Sequence, residues 1–245
     1  MKLYDLLGTQ FSSRVVENYL HDWKRKSDRA SRFDNKVLHN YVSAHLPETL
    51  SVKAAAADAP AEILLYAEIG FWGVTAKDFV LALTLAGDGP ITLRINSPGG
   101  DPFDGLAIYN ALRARTSPVN VVVDGLAASA ASFIAMVGTT VSMAEQSMLM
   151  INNACGVVIG DRNEMREMAA VMKKIDGQLA EIYAGKSGKP AADIGAMMDS
   201  ETWFTSSEAR DAGLCDAIVQ PKKTAANASR TVCQMRLRLA KAAGA

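Results

Sequence analysis

At 245 residues, 49% of them apolar and 21% charged, the chain is long enough for one sizeable α/β domain with extensions and too apolar to be disordered throughout. Lys+Arg and Asp+Glu stand equal at 26 each, so no net field steers the whole chain toward nucleic acid or a membrane surface. Cys155, Cys215 and Cys233 lack a CxxC spacing, and no apolar run reaches the roughly 18 residues of a membrane span, so the composition points to a soluble, cytoplasmic protein without a disulfide framework or zinc site.

Residues 1–55 read as an N-terminal extension that holds all three histidines, His21, His39 and His45. The Ala-rich run Lys53–Ala61 reads as a linker, and residues 56–220 as the main domain, with its first strand near Glu62. Strands and helices then alternate. "EILLYAEIG" is strand-like; "TAKDFVLALTLAG" opens on Thr75 with Asp78 three residues later, an approximate capping box, and stops at Gly87. "ITLRINS" is the next strand, "DGLAIYNALRAR" the next helix and "VNVVVDG" a third strand, the rhythm of βαβ crossovers and a mostly parallel sheet.

Between Asp161 and Gly185 the apolar residues Met165, Met168, Met172, Ile175, Leu179 and Ile182 recur at alternating spacings of three and four, which predicts a long helix with one apolar stripe. That stripe packs either on its own domain or into a subunit interface. Thr205 and Glu208 form a second capping box, Gly213 offers a helix stop, and "LCDAIV" reads as a last strand. From Pro221 the chain carries Lys222, Lys223, Arg230, Arg236, Arg238 and Lys241 with no acid, a basic Ala-rich tail over residues 221–245.

Two segments carry chemistry. In Ile95–Gly100, "INSPGG", the glycines after a strand let the backbone approach another group and leave N–H donors free for an oxyanion, although such a sequence also makes an ordinary turn. In "DGLAASAASF", Ser129 follows a strand end, where it serves either as a nucleophile at a helix N-terminus or as a simple N-cap.

The segments "INSPGGDPFDGLAIYNAL", "DGLAASAASFIAMVG", "MLMINNA" and "ETWFTSSEARDAGLCDAIV" occur in that order between Glu62 and Val219. Together they resemble the Clp protease proteolytic-subunit family, and most closely its phage and prophage branch, the head-maturation proteases. The resemblance implies an α/β fold of the ClpP/crotonase-like ββα spiral type, with a mostly parallel sheet, a long projecting interface helix and an N-terminal extension. It implies Ser129 as nucleophile, backbone N–H groups of Gly99 and Ala130 as oxyanion hole, and Glu201 as the acid that orients a histidine. Ser132 falls where the family usually has a small residue. The resemblance further implies a homo-oligomeric ring of six or seven subunits, a polypeptide substrate such as capsid or scaffold protein, and the family's AAA+ unfoldase as a partner that phage relatives need not use. It implies no metal or organic cofactor, no nucleic acid and no membrane, and the host cytoplasm as location for a phage-encoded chain.

The departure is Asn152, which stands in the position of the family's general-base histidine. No histidine follows His45, so no shift of register restores one. An amide forms hydrogen bonds but has no useful pKa and carries no proton from a serine hydroxyl to a leaving amine. In a well-studied serine hydrolase, loss of the histidine costs about 10⁶ in turnover, with about 10³–10⁴ over water left to the oxyanion hole and binding. Very slow cleavage is therefore expected, unless Glu201 or a histidine from residues 21–45 reaches Ser129. Two further readings stand beside the peptidase: a peptide-binding or assembly subunit on the same fold, and a crotonase-type acyl-CoA enzyme.

Overall fold

A computed structural model describes residues 46–47, 50–56 and 59–220; the three histidines and the basic tail fall outside the described residues. In chain order the elements are β1 (Leu50–Lys53), β2 (Ala61–Leu65), α1 (Ala76–Ala86), β3 (Ile91–Ser97), α2 (Pro102–Arg113), β4 (Val119–Ala128), α3 (Ala130–Ala135), β5 (Thr140–Ala144), β6 (Met148–Ile151), α4 (Arg162–Ser187), α5 (Ala191–Asp199), β7 (Thr202–Thr205), α6 (Ser206–Asp211) and β8 (Ala217–Val219). The strands form one eight-stranded sheet in the order β1-β2-β3-β4-β5-β8, with β6 pairing β4 and β7 pairing β6. Only the β1–β2 and β6–β7 pairs are antiparallel. This is the mostly parallel α/β architecture expected from the alternating elements.

The helices begin and end where local chemistry dictates. Thr75 caps α1: its hydroxyl accepts from Asp78 N, and the Asp78 carboxylate accepts from Thr75 N, a complete capping box. Phe79, Ala82, Leu83 and Ala86 then recur at helical spacing and are buried, and Gly87 ends the helix at φ 71. Asp101 caps α2 ahead of Pro102, accepting from Phe103 N and Asp104 N at 2.9 Å each. Asp161 and Glu164 form the capping box of α4, and Gly188 closes it in the left-handed region.

The sheet core is built by alternation. Ala61, Ile63 and Leu65, then Ile91, Leu93 and Ile95, then Val119, Val121 and Val123 are buried on one face. Burial of a Val-, Leu- or Ile-sized side chain contributes about 1.5–3 kcal/mol. On the opposite face Arg94 Nε donates to Asp124 at 2.9 Å, Tyr66 OH donates to the same carboxylate, and Lys53 Nζ donates to Glu62 at 2.7 Å. These groups are partly exposed, so their pairing orders the sheet surface more than it stabilises the fold.

Two expectations change in detail. The Ala-rich run read as a linker is the connection of a hairpin: Ala56 and Ala59 exchange backbone hydrogen bonds at 3.0 and 3.2 Å, and β1, placed in the N-terminal extension by its sequence, pairs with β2. Four strand residues beside a run of alanines carry too short an alternation to be recognised. The stripe of α4 divides along its length. Of its six residues, Ile175 and Leu179 are buried against the domain, Met168, Met172 and Ile182 are half-buried, and Met165 stands out into solvent. Among the described residues no helix is long and apolar enough to cross a membrane.

Asp216 ties the last strand to the rest. Its carboxylate accepts from Val141 N and from Lys186 Nζ, both at 2.6 Å. Partial burial opposes its ionisation, but the Lys186 ammonium and the Val141 N–H outweigh that and hold the carboxyl below its ordinary value. A depressed folded-state pKa contributes stability that is present in full above the ordinary aspartate value near 3.9 and is lost as pH falls beneath it. Asp216→Asn is therefore expected to lower stability at neutral pH by about 1 kcal/mol, a charge-assisted hydrogen bond discounted for solvent exposure. The gap from the parent chain should narrow as pH falls beneath the ordinary aspartate value in a denaturant midpoint series, and a gap that stays unchanged would refute the assignment.

Candidate active site

The site is assembled by one strand that changes partners. The first half of β4 pairs with β5 from Asn120 to Val123, and its second half pairs with β6 from Leu126 to Ala128. Between the halves its register on β3 shifts: Ile95 faces Val123 and Ser97 faces Ala127, an irregularity that bends the strand. The bend carries the end of β4 away from the main sheet and onto the β6–β7 pair.

Three candidate residues then fall at one end of these strands. Ser129 follows the last residue of β4; Ser129 N donates to Met150 O at 3.1 Å. Asn152 follows the last residue of β6, and Glu201 precedes the first residue of β7. Because Ala128 pairs with Met150 in parallel and Ile151 pairs with Thr202 antiparallel, all three positions lie at the same end of the β4–β6–β7 unit.

Ser129 has φ 51 and ψ −122. A non-glycine residue in such a region costs about 1–3 kcal/mol, and strain of this kind clusters at functional sites. Ser129 occupies the cap position of α3 but its hydroxyl makes no capping bond, which disposes of the simple N-cap reading. Its backbone is held instead. Ser129 O accepts from Ser132 N at 2.9 Å and from Ser132 Oγ at 2.7 Å. The single Ser132 proton is thereby used, so Tyr183 OH, 2.6 Å from Ser132 Oγ, is the donor in that contact. Both side chains are fully buried, and burial pushes the Tyr183 phenol up, keeping it protonated. The long helix α4 thus reaches the strained turn through two hydroxyls.

Gly99 lies against the same turn. It has φ 90, and a Cβ there would stand 2.4 Å from Ala128 O, 2.7 Å from Ala130 N and 2.8 Å from Ser129 Cβ. Only glycine admits this approach. The two expected oxyanion donors differ in state. Ala130 N has no acceptor among the described residues, while Gly99 N donates to Ser97 Oγ at 3.1 Å, and that buried hydroxyl donates to Ala67 O at 2.5 Å.

Asn152 is half-buried and makes no side-chain hydrogen bond among the described residues. Its flanks are pinned: Asn153 Nδ2 donates to Asp199 Oδ1 and Ala154 N donates to Asp176 Oδ1, each at 2.7 Å. Glu201 is exposed and accepts from Trp203 Nε1 at 3.2 Å. Among the described residues, Ser129 and Glu201 are the two non-glycine residues with positive φ. Neither Glu201 nor any other titratable side chain of the described residues hydrogen-bonds the Ser129 hydroxyl. The chemistry within reach is therefore that of an alcohol beside a backbone N–H donor, with an amide and a carboxylate at the neighbouring strand ends.

A mostly parallel sheet whose central strand ends in a strained serine turn against a glycine-rich segment defines a peptidase fold of the ClpP type. A mutant of ClpP1 from Listeria monocytogenes has the same fold, with a TM-score of 0.59 and 24% identity over 66% of this chain and 92% of its own. Residues 62–222 match the family model described as Clp protease, and the chain belongs to that family of serine peptidases. It is 35% identical over 150 residues to ATP-dependent Clp protease proteolytic subunit 1 of Protochlamydia amoebophila, covering 60% of this chain and 72% of that relative. It is 35% identical over 132 residues to proteolytic subunit 3 of Rhodococcus jostii, covering 53% and 65%.

Sequence reasoning missed Ser97, Tyr183, Asp176 and Asp199. Ser97 lies inside the motif already singled out, and a serine two residues before a glycine is a recognisable side-chain turn. Tyr183 falls one residue beside the stripe of α4, and nothing in the sequence couples it to Ser132.

The role of the Gly99 approach is separable from its backbone conformation. Gly188 has a left-handed backbone, φ 71 and ψ 6, but open space where a Cβ would go. Gly99→Ala is expected to cost at least about 3 kcal/mol in a urea midpoint series, against about 1 kcal/mol for Gly188→Ala. Equal costs would show that the overlap at the Ser129 turn is relieved without penalty.

Proposed function

We propose that the chain is a ClpP-type serine endopeptidase in which Ser129 is the nucleophile, Gly99 and Ala130 supply the oxyanion donors, and Asn152 in the base position makes cleavage slow. The observation that carries this reading is the Ser129 backbone, held at φ 51 with a hydroxyl that performs no capping. A side chain kept in strain without a structural task is one kept for a ligand.

Attack of Ser129 Oγ on a peptide carbonyl carbon requires its proton to leave and a proton to reach the departing amine. Asn152 Oδ1 accepts a hydrogen bond and orients the hydroxyl or a water; it does not take the proton. Deprotonation then falls to hydroxide or solvent. The oxyanion finds Ala130 N directly, and Gly99 N when that donor exchanges Ser97 Oγ for the new charge. Glu201 belongs to this reading as the acid that would orient an imidazole; with Asn152 in place it has an amide to address.

The substrate we infer is capsid or scaffold protein of a phage or prophage head, supported by the likeness of the four motifs to the head-maturation branch. The assembly we infer is a ring of six or seven copies in the host cytoplasm, with the projecting first turns of α4 between neighbours. The relatives' designation as ATP-dependent supports an AAA+ unfoldase as a partner. A second reading, a peptide-binding or assembly subunit without turnover, is favoured by Asn152 itself.

A fluorophosphonate probe tests the reading. Asn152→His is expected to label at Ser129 at least about 10³-fold faster than the parent chain, and Ser129→Ala to abolish labelling in both backgrounds. A parent chain that labels at a rate the substitution barely changes would overturn the assignment of Asn152.

A further inference from the structure

The peptide unit between Ser129 and Ala130 is gripped by its oxygen. Ser129 O accepts twice from one residue, from Ser132 N at 2.9 Å and from Ser132 Oγ at 2.7 Å. Tyr183 OH, 2.6 Å from Ser132 Oγ, donates in that contact, so the Ser132 proton is committed to Ser129 O. Ser132 and Tyr183 are both fully buried, and among the described residues the Tyr183 hydroxyl has no other partner. The two hydroxyls thus run in series from α4 to a single carbonyl oxygen.

Stability does not require this pair. Alanine and phenylalanine at the two positions would fill nearly the same space with no buried hydroxyl to satisfy, and replacing both partners of a hydrogen bond by apolar groups of like shape is close to neutral. Ser129 O already has the Ser132 N–H as a donor. What the hydroxyls add is a second bond on a carbonyl whose direction is set by the strained ψ of Ser129, −122. That torsion turns the Ser129–Ala130 peptide as one rigid plate. Among the described residues every peptide bond is trans, so the Ala130 N–H points opposite to Ser129 O. Fixing the oxygen on the Ser132 side therefore aims the N–H away from it. Ala130 N has no acceptor among the described residues and borders the Gly99 backbone, where a Cβ would stand 2.7 Å from it. Two bonds on the oxygen also polarise the amide, which strengthens its N–H as a donor.

We propose that Ser132 and Tyr183 are positioning residues of the oxyanion hole: through Ser129 O they hold the Ala130 N–H in the direction from which it meets the charge that develops on a substrate carbonyl. The inference rests on the reading of Ser129 as nucleophile with Ala130 N as an oxyanion donor. Neither side chain touches substrate. With the Ser132 Oγ bond gone, the Ser132 N bond alone restrains the plate, so the donor is misaligned part of the time and not lost. Removing an oxyanion donor outright costs about 10²–10³ in rate, and partial release costs less, about tenfold. The loss falls on the transition state and not on initial binding, because the donor serves an oxygen that becomes charged only as the bond forms. It is independent of the proton carrier, so it operates with Asn152 and with a histidine alike.

Labelling by a fluorophosphonate is followed against probe concentration in the full chain and in Asn152→His, each with and without the substitutions. In both backgrounds Ser132→Ala is expected to lower the maximal rate of labelling at Ser129 about tenfold and to leave the half-saturating probe concentration within about twofold. The same substitution leaves the buried Tyr183 hydroxyl unpaired and should lower the thermal midpoint. Adding Tyr183→Phe should return the midpoint to that of the parent while the rate stays low. A rate that recovers with the midpoint in the double variant would show that the hydroxyls serve stability alone, and would overturn the proposal. So would an unchanged maximal rate in Ser132→Ala, or a loss that appears in the half-saturating concentration instead. No labelling at Ser129 in either background would overturn the reading of the site, and this inference with it.

Discussion

The approach of the Gly99 backbone to the turn at Ser129 is the constraint on which the rest of the structure depends. At this place two chain segments are separated by less than a side chain, so one must be glycine and the other must adopt a backbone that other residues avoid. The cost is borne by the surroundings. The bend in β4 delivers Ser129 to β6, Met150 O and Ser132 hold the turn from two sides, and Tyr183 reaches in from α4 to complete the hydroxyl chain. Each contact is individually worth about 1 kcal/mol, and together they offset the strain of a single residue.

In the proposed reading this geometry separates two tasks that a serine peptidase normally joins. Holding the alcohol beside oxyanion donors is a matter of backbone: Ala130 N has no acceptor among the described residues, and Gly99 N is held by Ser97 Oγ until a new charge takes its place. Moving its proton is a matter of one side chain with a pKa near neutrality, and Asn152 has none. The pinned flanks of Asn152, on Asp199 and Asp176, keep that position in register with the site even though its side chain does not titrate.

The course of the chain was legible wherever a feature was local. Thr75 with Asp78, Thr205 with Glu208, Gly87 and the strand Ile91–Ser97 are written in stretches of three to seven residues, and the structure has them where the sequence puts them. What escaped was non-local or masked by composition. The strand Leu50–Lys53 is too short to stand out from the alanines that follow it, and its pairing with β2 is a tertiary fact. The Ser132–Tyr183 bond spans 51 positions, and the capture of Gly99 N by Ser97 depends on a φ that no residue type announces. For the candidate site, the motifs brought Gly99, Ser129, Ala130, Asn152 and Glu201 to attention; that three of them share one end of the β4–β6–β7 unit follows only from register.

In the proposed reading no group titrating near neutrality serves the Ser129 hydroxyl. The rate at which the unmodified chain reacts with a fluorophosphonate, measured from about pH 5 to pH 9, addresses it directly. Without a proton carrier the logarithm of the rate rises steadily with pH, following hydroxide, and reaches no plateau. A sigmoid with a midpoint between about pH 6 and pH 8 would reveal a working base and contradict the account.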